Sequence, residues 1–322
     1  MNLLLYIPRW IYPNNLGDSV HSTFVPKVIK KKYPDCHLTV VTHGQLLNVL
    51  SNNPNIDTLR PPSPVELHHL HVGLPTRLPE STFVVYAEWH PRLWDTWNTN
   101  FEFFTNHPTA NLLTVNSLLQ LGLSEFLFDG TDLSPEIIIN KPEREQRTLS
   151  IVPSTKLAGR PTPHPGCDGK GFRFNGDNGL SWINFCDRIR ELDSTIKIVE
   201  FSYENFGWGD EHVPHKEDWF LLANECAKPT VAVMSDGGMH HVFTTQKTPI
   251  VLLGAQKINK PCFFKSGDVK TYDYMNKRCY ETCEENIVNL SGWPDLGKTC
   301  TGACEEVDAI ELANNVYRDY FS

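Results

Sequence analysis

The chain of 322 residues is long enough for two domains of ~150 residues each, and its ordinary hydrophobic and charged fractions argue against a disordered protein. Its formal net charge of -9 at pH 7 disfavours a nucleic-acid partner, although a local basic groove would still be compatible with one. No apolar run reaches ~18 residues, so a membrane-spanning helix is not expected.

The first half of the chain alternates short apolar runs with helical patterns. Residues 3–7 form the first predicted strand, since this apolar start lacks the basic region of a signal peptide. A helix is predicted over 20–33, with three lysines near its C-terminus, where cations suit the helix dipole. The other elements predicted here are strands at 38–41, 56–59 and 83–86 and helices at 45–50 and 105–122.

The second half repeats this alternation after a polar segment at 140–147, which we interpret as a linker between domains 1–145 and 146–322. Its predicted elements are strands at 149–152, 196–201, 230–234 and 249–253, helices at 181–192, 219–226 and 308–321, a further helix before the last strand, and a Gly/Pro-rich loop at 159–179. The pattern predicts an α/β fold of two Rossmann-like halves with parallel sheets facing across a cleft. Because such sheets bind ligands at the carboxyl ends of their strands, we expect the site in that cleft.

The expected location of the protein bears on the chemical state of its cysteines. Without a leader segment we expect a cytoplasmic protein, either free or peripheral to the inner membrane. The nine cysteines then favour free thiols or metal ligands over disulfides.

Asp18 is the first candidate catalytic residue. It lies in the turn Asn15-Leu16-Gly17-Asp18-Ser19, between the first strand and the first helix, where Gly17 permits a tight turn and close approach of a ligand. A carboxylate there could take the proton of an acceptor hydroxyl as a general base. An N-cap for the helix is the alternative, since Asp commonly satisfies free helix amides.

A second candidate site is the turn Ser235-Asp236-Gly237-Gly238-Met239-His240-His241, directly after a strand. Two glycines expose backbone amides at the start of a helix, and that combination binds phosphate. His241, one turn into the helix, would add a donor to a diphosphate. A helix cap beside a buried histidine is the alternative.

Further phosphate ligands are predicted after the first strand of the second half. Ser154, Thr155 and Lys156 offer two hydroxyls and a cation at a strand end. Lys170 and Arg173 in the following loop are rival cations. Each of these charges could equally be a solvated surface residue.

Taken together, these motifs resemble glycosyltransferase family 9, the ADP-heptose:lipopolysaccharide heptosyltransferases. The family carries a G-D turn before the first helix, then K-x-x-Y-P and N-P-x-I/V-D, and in the second half D-S/T-G-x-x-H followed by T-P. The matching residues are Gly17-Asp18-Ser19-Val20, Lys31-Lys32-Tyr33-Pro34, Asn53-Pro54-Asn55-Ile56-Asp57, then Asp236, Gly238, His241 and Thr248-Pro249-Ile250-Val251. Their order runs over nearly the whole chain.

The resemblance implies a GT-B fold and an inverting transfer of a heptose or related sugar from a nucleoside diphosphate donor. It implies Asp18 as the general base. It also implies that the 235–241 turn holds the donor's diphosphate and sugar, assisted by Ser154, Thr155 and Lys156. A catalytic metal is not expected, because amides and basic side chains stabilise the leaving diphosphate in GT-B enzymes.

The chain departs from the family pattern in three places, which bear on the identity of donor and acceptor. Gly237 replaces the usual Ser or Thr, and the K-R-W-P loop is replaced by 170–174. The insert at 61–79, with His68, His69 and His71, has no counterpart; a solvated loop is favoured there over a metal site.

Four C-terminal cysteines form a separate candidate metal site. Cys279 and Cys283, and Cys300 and Cys304, make two pairs that could bind structural Zn or Fe tetrahedrally. Some heptosyltransferase-like enzymes that modify proteins carry such a metal, which supports the assignment. The spacing of three residues within each pair is less usual than two, and buried free thiols are the alternative.

Several functions remain open from the sequence. The acceptor of a transferase could be a glycan, a glycolipid, a protein Ser or Thr, or a hydroxylated DNA base. A protein that binds a nucleotide sugar without catalysis, or a nucleotide-sugar epimerase of similar build, would keep the fold. Retention of both Asp18 and the 235–241 turn favours catalysis.

Overall fold

The computed structural model describes residues 1–7, 20, 22–42, 44–64, 66, 82–84, 117–119, 121–140, 142–153, 180–215, 218–235, 238–253, 269–272 and 308–322. Within this part, no helix is both long and apolar enough to cross a membrane.

The first half builds a parallel sheet of four strands. They are β1 (Asn2–Tyr6), β2 (His37–Val41), β3 (Thr58–Arg60) and β4 (Thr82–Val84), in the order β3-β2-β1-β4. The ladder continues one residue beyond the strands, since Ile7 N donates to Val41 O at 3.0 Å. The four strands predicted for this half are confirmed.

The helix predicted over 20–33 is present, and Val20 is already helical. A 3-10 turn (Ser22–Phe24) leads into α1 (Val25–Lys32), which has Pro26 in its first turn, where a missing amide costs nothing. Its three C-terminal lysines, Lys30, Lys31 and Lys32, pair with Asp57, Asp129 and Glu125. The predicted short helix after β2 is present as α2 (Gln45–Leu50).

Two residues of the N-P-x-I-D motif hold local structure. Asn53 is 5% exposed, and its side-chain oxygen accepts from Asn55 N at 3.0 Å, which closes a turn before β3. Asp57 accepts from Leu38 N at 2.6 Å and pairs with Lys30 at 2.7 Å. The motif therefore joins β3 to β2 and to α1.

The second half builds a parallel sheet of six strands in the order β10-β9-β8-β5-β6-β7. The strands are β5 (Thr148–Val152), β6 (Lys197–Ser202), β7 (Glu211–Pro214), β8 (Val231–Ser235), β9 (Ile250–Leu253) and β10 (Val269–Tyr272). The four strands predicted here are confirmed, and the sequence analysis missed both edge strands, β7 and β10. Two parallel sheets confirm the predicted α/β class.

In the part of this half that the structure describes, four helices cover the sheet on its two faces: α3 (Leu180–Leu192), α4 (Trp219–Cys226), α5 (Gly238–Thr245) and α6 (Ala309–Tyr320). Side chains of α3 and α6 share one buried cluster with Leu149 and Ile151. Those of α4 and α5 share another with Val152 and Phe201, and this second cluster continues into the first half through α1 and α2. The placement of the domain boundary between residues 145 and 146 stays a prediction.

A short connection joins the parallel strands β6 and β7. Such a connection usually contains a helix, but here it spans only 203–210. The fully buried Glu200 organises it, because its carboxylate accepts from Phe206 N at 2.9 Å and Trp208 N at 3.1 Å. Gly209 passes so close to the sheet that an added Cβ would lie 2.9 Å from Glu200 N.

Candidate functional site

The strand order of the second sheet defines a binding crevice. From β5 the chain runs outward to β6 and β7 on one side, and it returns to β8, β9 and β10 on the other. The direction of winding therefore reverses between β5 and β8. In open α/β sheets, ligands bind at such a switch point, outside the carboxyl ends of the strands.

Two of the predicted donor-binding segments begin at this point. β5 and β8 are paired in parallel, with Val152 opposite Met234. The segment with Ser154, Thr155 and Lys156 follows β5, and Ser235 is the last residue of β8. The structure thus brings the starts of both segments to neighbouring positions on one edge, while Ser154, Thr155, Lys156, Asp236 and Gly237 themselves lie outside the described residues.

The turn after β8 leads into a helix, as predicted. Gly238 is the first residue of α5, so its amide and that of Met239 belong to the group of helix amides without intrahelical acceptors. The Met239 side chain is 2% exposed and packs in the core, which leaves its backbone as the part that can meet a ligand.

His241 lies one turn into α5 and is 8% exposed. Its ring centroid is 3.7 Å from that of His240. Because side chains on a helix tilt toward its N-terminus, we expect His241 to lean toward the start of α5. Its predicted position in the helix is confirmed, and its role as a diphosphate ligand stays a prediction.

The C-terminal end of α5 is fixed by buried polar contacts. Thr248 Oγ1 donates to Cys226 O at 2.6 Å, and Gln246 Nε2 donates to Ile137 O at 3.0 Å. These bonds join α5 to α4 and to the chain segment that precedes the second half. Thr248 belongs to the T-P motif, so this part of the resemblance has a structural role.

The first sheet has a corresponding switch point between β1 and β4, because β2 and β3 extend from the other side of β1. The turn with Asp18 follows β1 and leaves from this point. The chain is held in place where it leaves β1, a point we call the exit of β1, because Thr42 Oγ1 donates to Ile7 O at 2.8 Å. Asp18 itself lies outside the described residues, so its role stays a prediction.

Sequence reasoning missed a cluster of aromatic and histidine side chains at the carboxyl ends of β6 and β7. Tyr203 is 58% exposed, and its ring meets that of His215 edge to face at 5.0 Å. His212 Nε2 lies 3.2 Å from Ser202 O. The end of the second strand of a Rossmann sheet is where the ribose of a bound nucleotide lies. Recognising the edge strand β7 in the sequence would have located this cluster.

The remaining predicted ligands lie outside the described residues. They are Lys170, Arg173, His68, His69, His71, Cys279, Cys283, Cys300 and Cys304. Within the described part, no group of three or more His, Cys, Asp or Glu side chains is arranged to hold a metal ion. Cys36, Cys186 and Cys226 are buried free thiols, as the expected preference for thiols over disulfides requires.

Comparison with known proteins rests on structure, because no family model and no curated protein matches the sequence. The family 9 glycosyltransferase from Veillonella parvula is similar with a TM-score of 0.58 and 14% identity, covering 99% of this chain and 97% of that chain. E. coli ADP-heptose LPS heptosyltransferase II is similar with a TM-score of 0.51 and 13% identity, covering 84% and 90%.

A third similar structure is TibC from enterotoxigenic E. coli, a dodecameric iron-containing heptosyltransferase in complex with ADP-D-β-D-heptose. Its TM-score is 0.56 at 13% identity, and the match covers 98% of this chain and 77% of that chain. The chain therefore has the fold of the family 9 glycosyltransferases, which is the GT-B fold that the sequence resemblance implied.

The burial of His215 predicts that the stability of the protein depends on pH, whatever its function. Burial, and secondarily the charge of His212, lower the pKa of His215 from 6.5 to about 4. At pH values between the two pKa values, His215 binds a proton in the unfolded chain but not in the folded chain. The free energy of unfolding should therefore fall as pH falls. We expect a loss on the order of 1–2 kcal/mol between about pH 7 and about pH 5, and His215→Phe should remove it in urea denaturation.

The exposed His37, which lies 3.0 Å from Thr58 Oγ1, supplies the control. His37→Phe should keep the wild-type dependence of stability on pH. A His215→Phe protein that loses the same stability as wild type on acidification would contradict the assignment.

Proposed function

We propose that the chain is an inverting glycosyltransferase that moves a sugar from a nucleoside diphosphate to a hydroxyl acceptor. One observation carries the proposal. The two segments predicted to bind the donor leave adjacent parallel strands, β5 and β8, at the switch point of the second sheet. The fold shared with family 9 glycosyltransferases supports it independently.

The donor would lie along the carboxyl edge of the second sheet. Its diphosphate would meet the amides of Gly237, Gly238 and Met239 at the start of α5, with His241 as an additional donor. Its ribose would lie over the end of β6, and Tyr203 offers an exposed ring for the base. TibC holds ADP-D-β-D-heptose, so this compound is the first donor to test.

Asp18 would act as the general base. Its carboxylate takes the proton of the acceptor hydroxyl, whose oxygen attacks the anomeric carbon from the face opposite the diphosphate. The bond from that carbon to the phosphate oxygen breaks, and the configuration inverts. Helix amides and the cations Lys156, Lys170 and Arg173 would stabilise the leaving diphosphate without a catalytic metal.

The acceptor is proposed as a glycan, a glycolipid or a protein in the cytoplasm or at the inner membrane. A nucleic-acid acceptor is disfavoured by the net charge of -9. A protein that binds the nucleotide sugar without catalysis is the second candidate. It would bind ADP and the sugar donor but release no ADP from the donor.

A structural metal on the four C-terminal cysteines is also part of the proposal. TibC is described as iron-containing, which supports iron alongside zinc as the candidate. The site would stabilise the fold and take no part in catalysis.

Asp18→Asn should lower the rate of ADP release from ADP-D-β-D-heptose by roughly 10²–10⁴-fold, because Asn keeps the shape of Asp without its basicity. Its stability and its affinity for ADP should stay at wild-type values, since Asn caps a helix about as well as Asp. The measurement is steady-state turnover with a thermal melt of each protein.

Asp18→Ala separates the cap from the base. It should lose turnover as Asp18→Asn does and, in addition, about 1 kcal/mol of stability if Asp18 also caps the helix. Turnover near the wild-type rate in Asp18→Asn would rule out the general-base role.

Gly238→Val should weaken the binding of ADP strongly, because a branched side chain at the start of α5 would stand where the phosphate approaches. His241→Ala should cost ~1–3 kcal/mol of binding free energy through loss of one phosphate contact in a buried site. Titration calorimetry with ADP measures both.

The matched control is His37→Ala, a histidine exposed on the first sheet, which should bind ADP as wild type does. Wild-type ADP affinity in both Gly238→Val and His241→Ala would place the phosphates elsewhere.

Purified protein never exposed to chelator should contain about one Zn or Fe per chain, given four thiolate ligands. Cys279→Ser should reduce the metal content and the melting temperature, whereas Cys36→Ser, at a buried free thiol, should keep the metal. Elemental analysis that finds no metal in wild-type protein would remove the site.

A further inference from the structure

A polar cluster closes over the carboxyl edge of the first sheet. Tyr6 and Arg60 are the last residues of β1 and β3, and Val41 ends β2 between them. The three are in register, with Tyr6 opposite Val41 and Val41 opposite Arg60. Glu66 joins the two outer residues of this row, although β1 and β3 are not neighbours in the sheet.

The Glu66 carboxylate accepts four hydrogen bonds, two on each oxygen. Oε1 accepts from Tyr6 Oη at 2.6 Å and from Arg60 Nη2 at 2.7 Å. Oε2 accepts from Arg60 Nη1 at 2.8 Å and from Ser63 N at 2.7 Å. Four bonds fill the acceptor capacity of a carboxylate, and the fork from Arg60 fixes its plane.

The protonation states agree with this geometry. The hydrogen bonds from Arg60 hold the pKa of Glu66 well below its usual range. Burial, and then the hydrogen bond to Glu66, raise the pKa of Tyr6. At neutral pH Glu66 is therefore the acceptor and Tyr6 the donor.

The cluster differs from the other ion pairs of this half. The pairs of α1, such as Lys31 with Asp129 and Lys32 with Glu125, join partly exposed side chains of the helix and of the segment 124–129, where an ion pair contributes little. Tyr6 is 1% exposed, and the Glu66 side chain is 17% exposed. Glu66 instead joins the ends of two strands, β1 and β3, through Tyr6 and Arg60.

We propose that Glu66 is a positioning residue for catalysis, which fixes the end of β1 from which the Asp18 turn departs. Tyr6 is followed by Ile7, whose bonds to β2 and Thr42 set the direction of the exit. Because Glu66 holds the Tyr6 side chain, it also holds the point where the chain leaves β1. The inference rests on the proposed function, because it assigns Glu66 an effect on the rate through Asp18.

Glu66→Gln tests the inference, because an amide keeps the size of the side chain but turns one of the two acceptor atoms into a donor. Release of ADP from ADP-D-β-D-heptose, with water as the acceptor, should fall roughly 10–100-fold in kcat, the effect expected of a misplaced catalytic group. The KM for the donor and the affinity for ADP should not change, since the donor lies on the other sheet.

Glu136→Gln is the matched control, because it breaks the 2.6 Å pair with Lys27 in the same half. It should keep the wild-type kcat. Tyr6→Phe removes a single bond of the cluster and should lower kcat by less than Glu66→Gln, with the same unchanged KM. If Glu66→Gln does not fold, Tyr6→Phe replaces it as the test variant.

Hydrogen exchange of a peptide covering 7–20 separates failure of this inference from failure of the proposed function. Exchange there should be faster in Glu66→Gln than in Glu136→Gln, whether or not ADP binds. A wild-type protein that binds no ADP would defeat the proposed function, while faster exchange at 7–20 in Glu66→Gln would still support the hold of Glu66 on the end of β1. Wild-type kcat in Glu66→Gln, unchanged exchange at 7–20, or an equal loss of ADP affinity would overturn the positioning role.

Discussion

The parallel pairing of β5 with β8 is the constraint on which the site depends. The segment that follows each strand begins at the carboxyl end of that strand. Parallel pairing places the carboxyl ends of both strands on the same edge of the sheet. The two segments are far apart in sequence, so no local interaction could bring them together. β5 can hold this central place because all five of its residues are buried, which suits a strand covered by helices on both faces.

The packing of α5 links the candidate donor site to the rest of the molecule. Its inner face shares one buried cluster with α4 and with α2 of the first half. Gln246 ties the end of α5 to Ile137, which precedes the second half in the chain. A helix that presents its N-terminal amides to a phosphate must keep a fixed orientation, and buried apolar contacts together with satisfied polar groups supply that fixity.

Both sheets use a carboxylate to organise the backbone near their carboxyl edges. Glu200 accepts from two amides of the connection between β6 and β7, in place of a crossover helix. Glu66 joins the ends of β1 and β3 over β2. A carboxylate that is fully buried, as Glu200 is, or largely shielded from water, as Glu66 is, is costly unless its oxygens receive donors. Each one therefore admits few arrangements of the surrounding chain. Edges fixed by such contacts would suit the proposed site, which must align an acceptor and a donor.

The sequence by itself determined the alternation of strands and helices, the α/β class and the segments that form the candidate site, because these follow from apolar periodicity and turn residues within short windows. It missed β7 and β10, since each is a four-residue edge strand without a continuous apolar run. Only the tertiary structure decided the strand order, the switch points and the cluster of Tyr6, Arg60 and Glu66. These depend on pairing between residues distant in the chain, where the energy comes from contacts that no local pattern encodes.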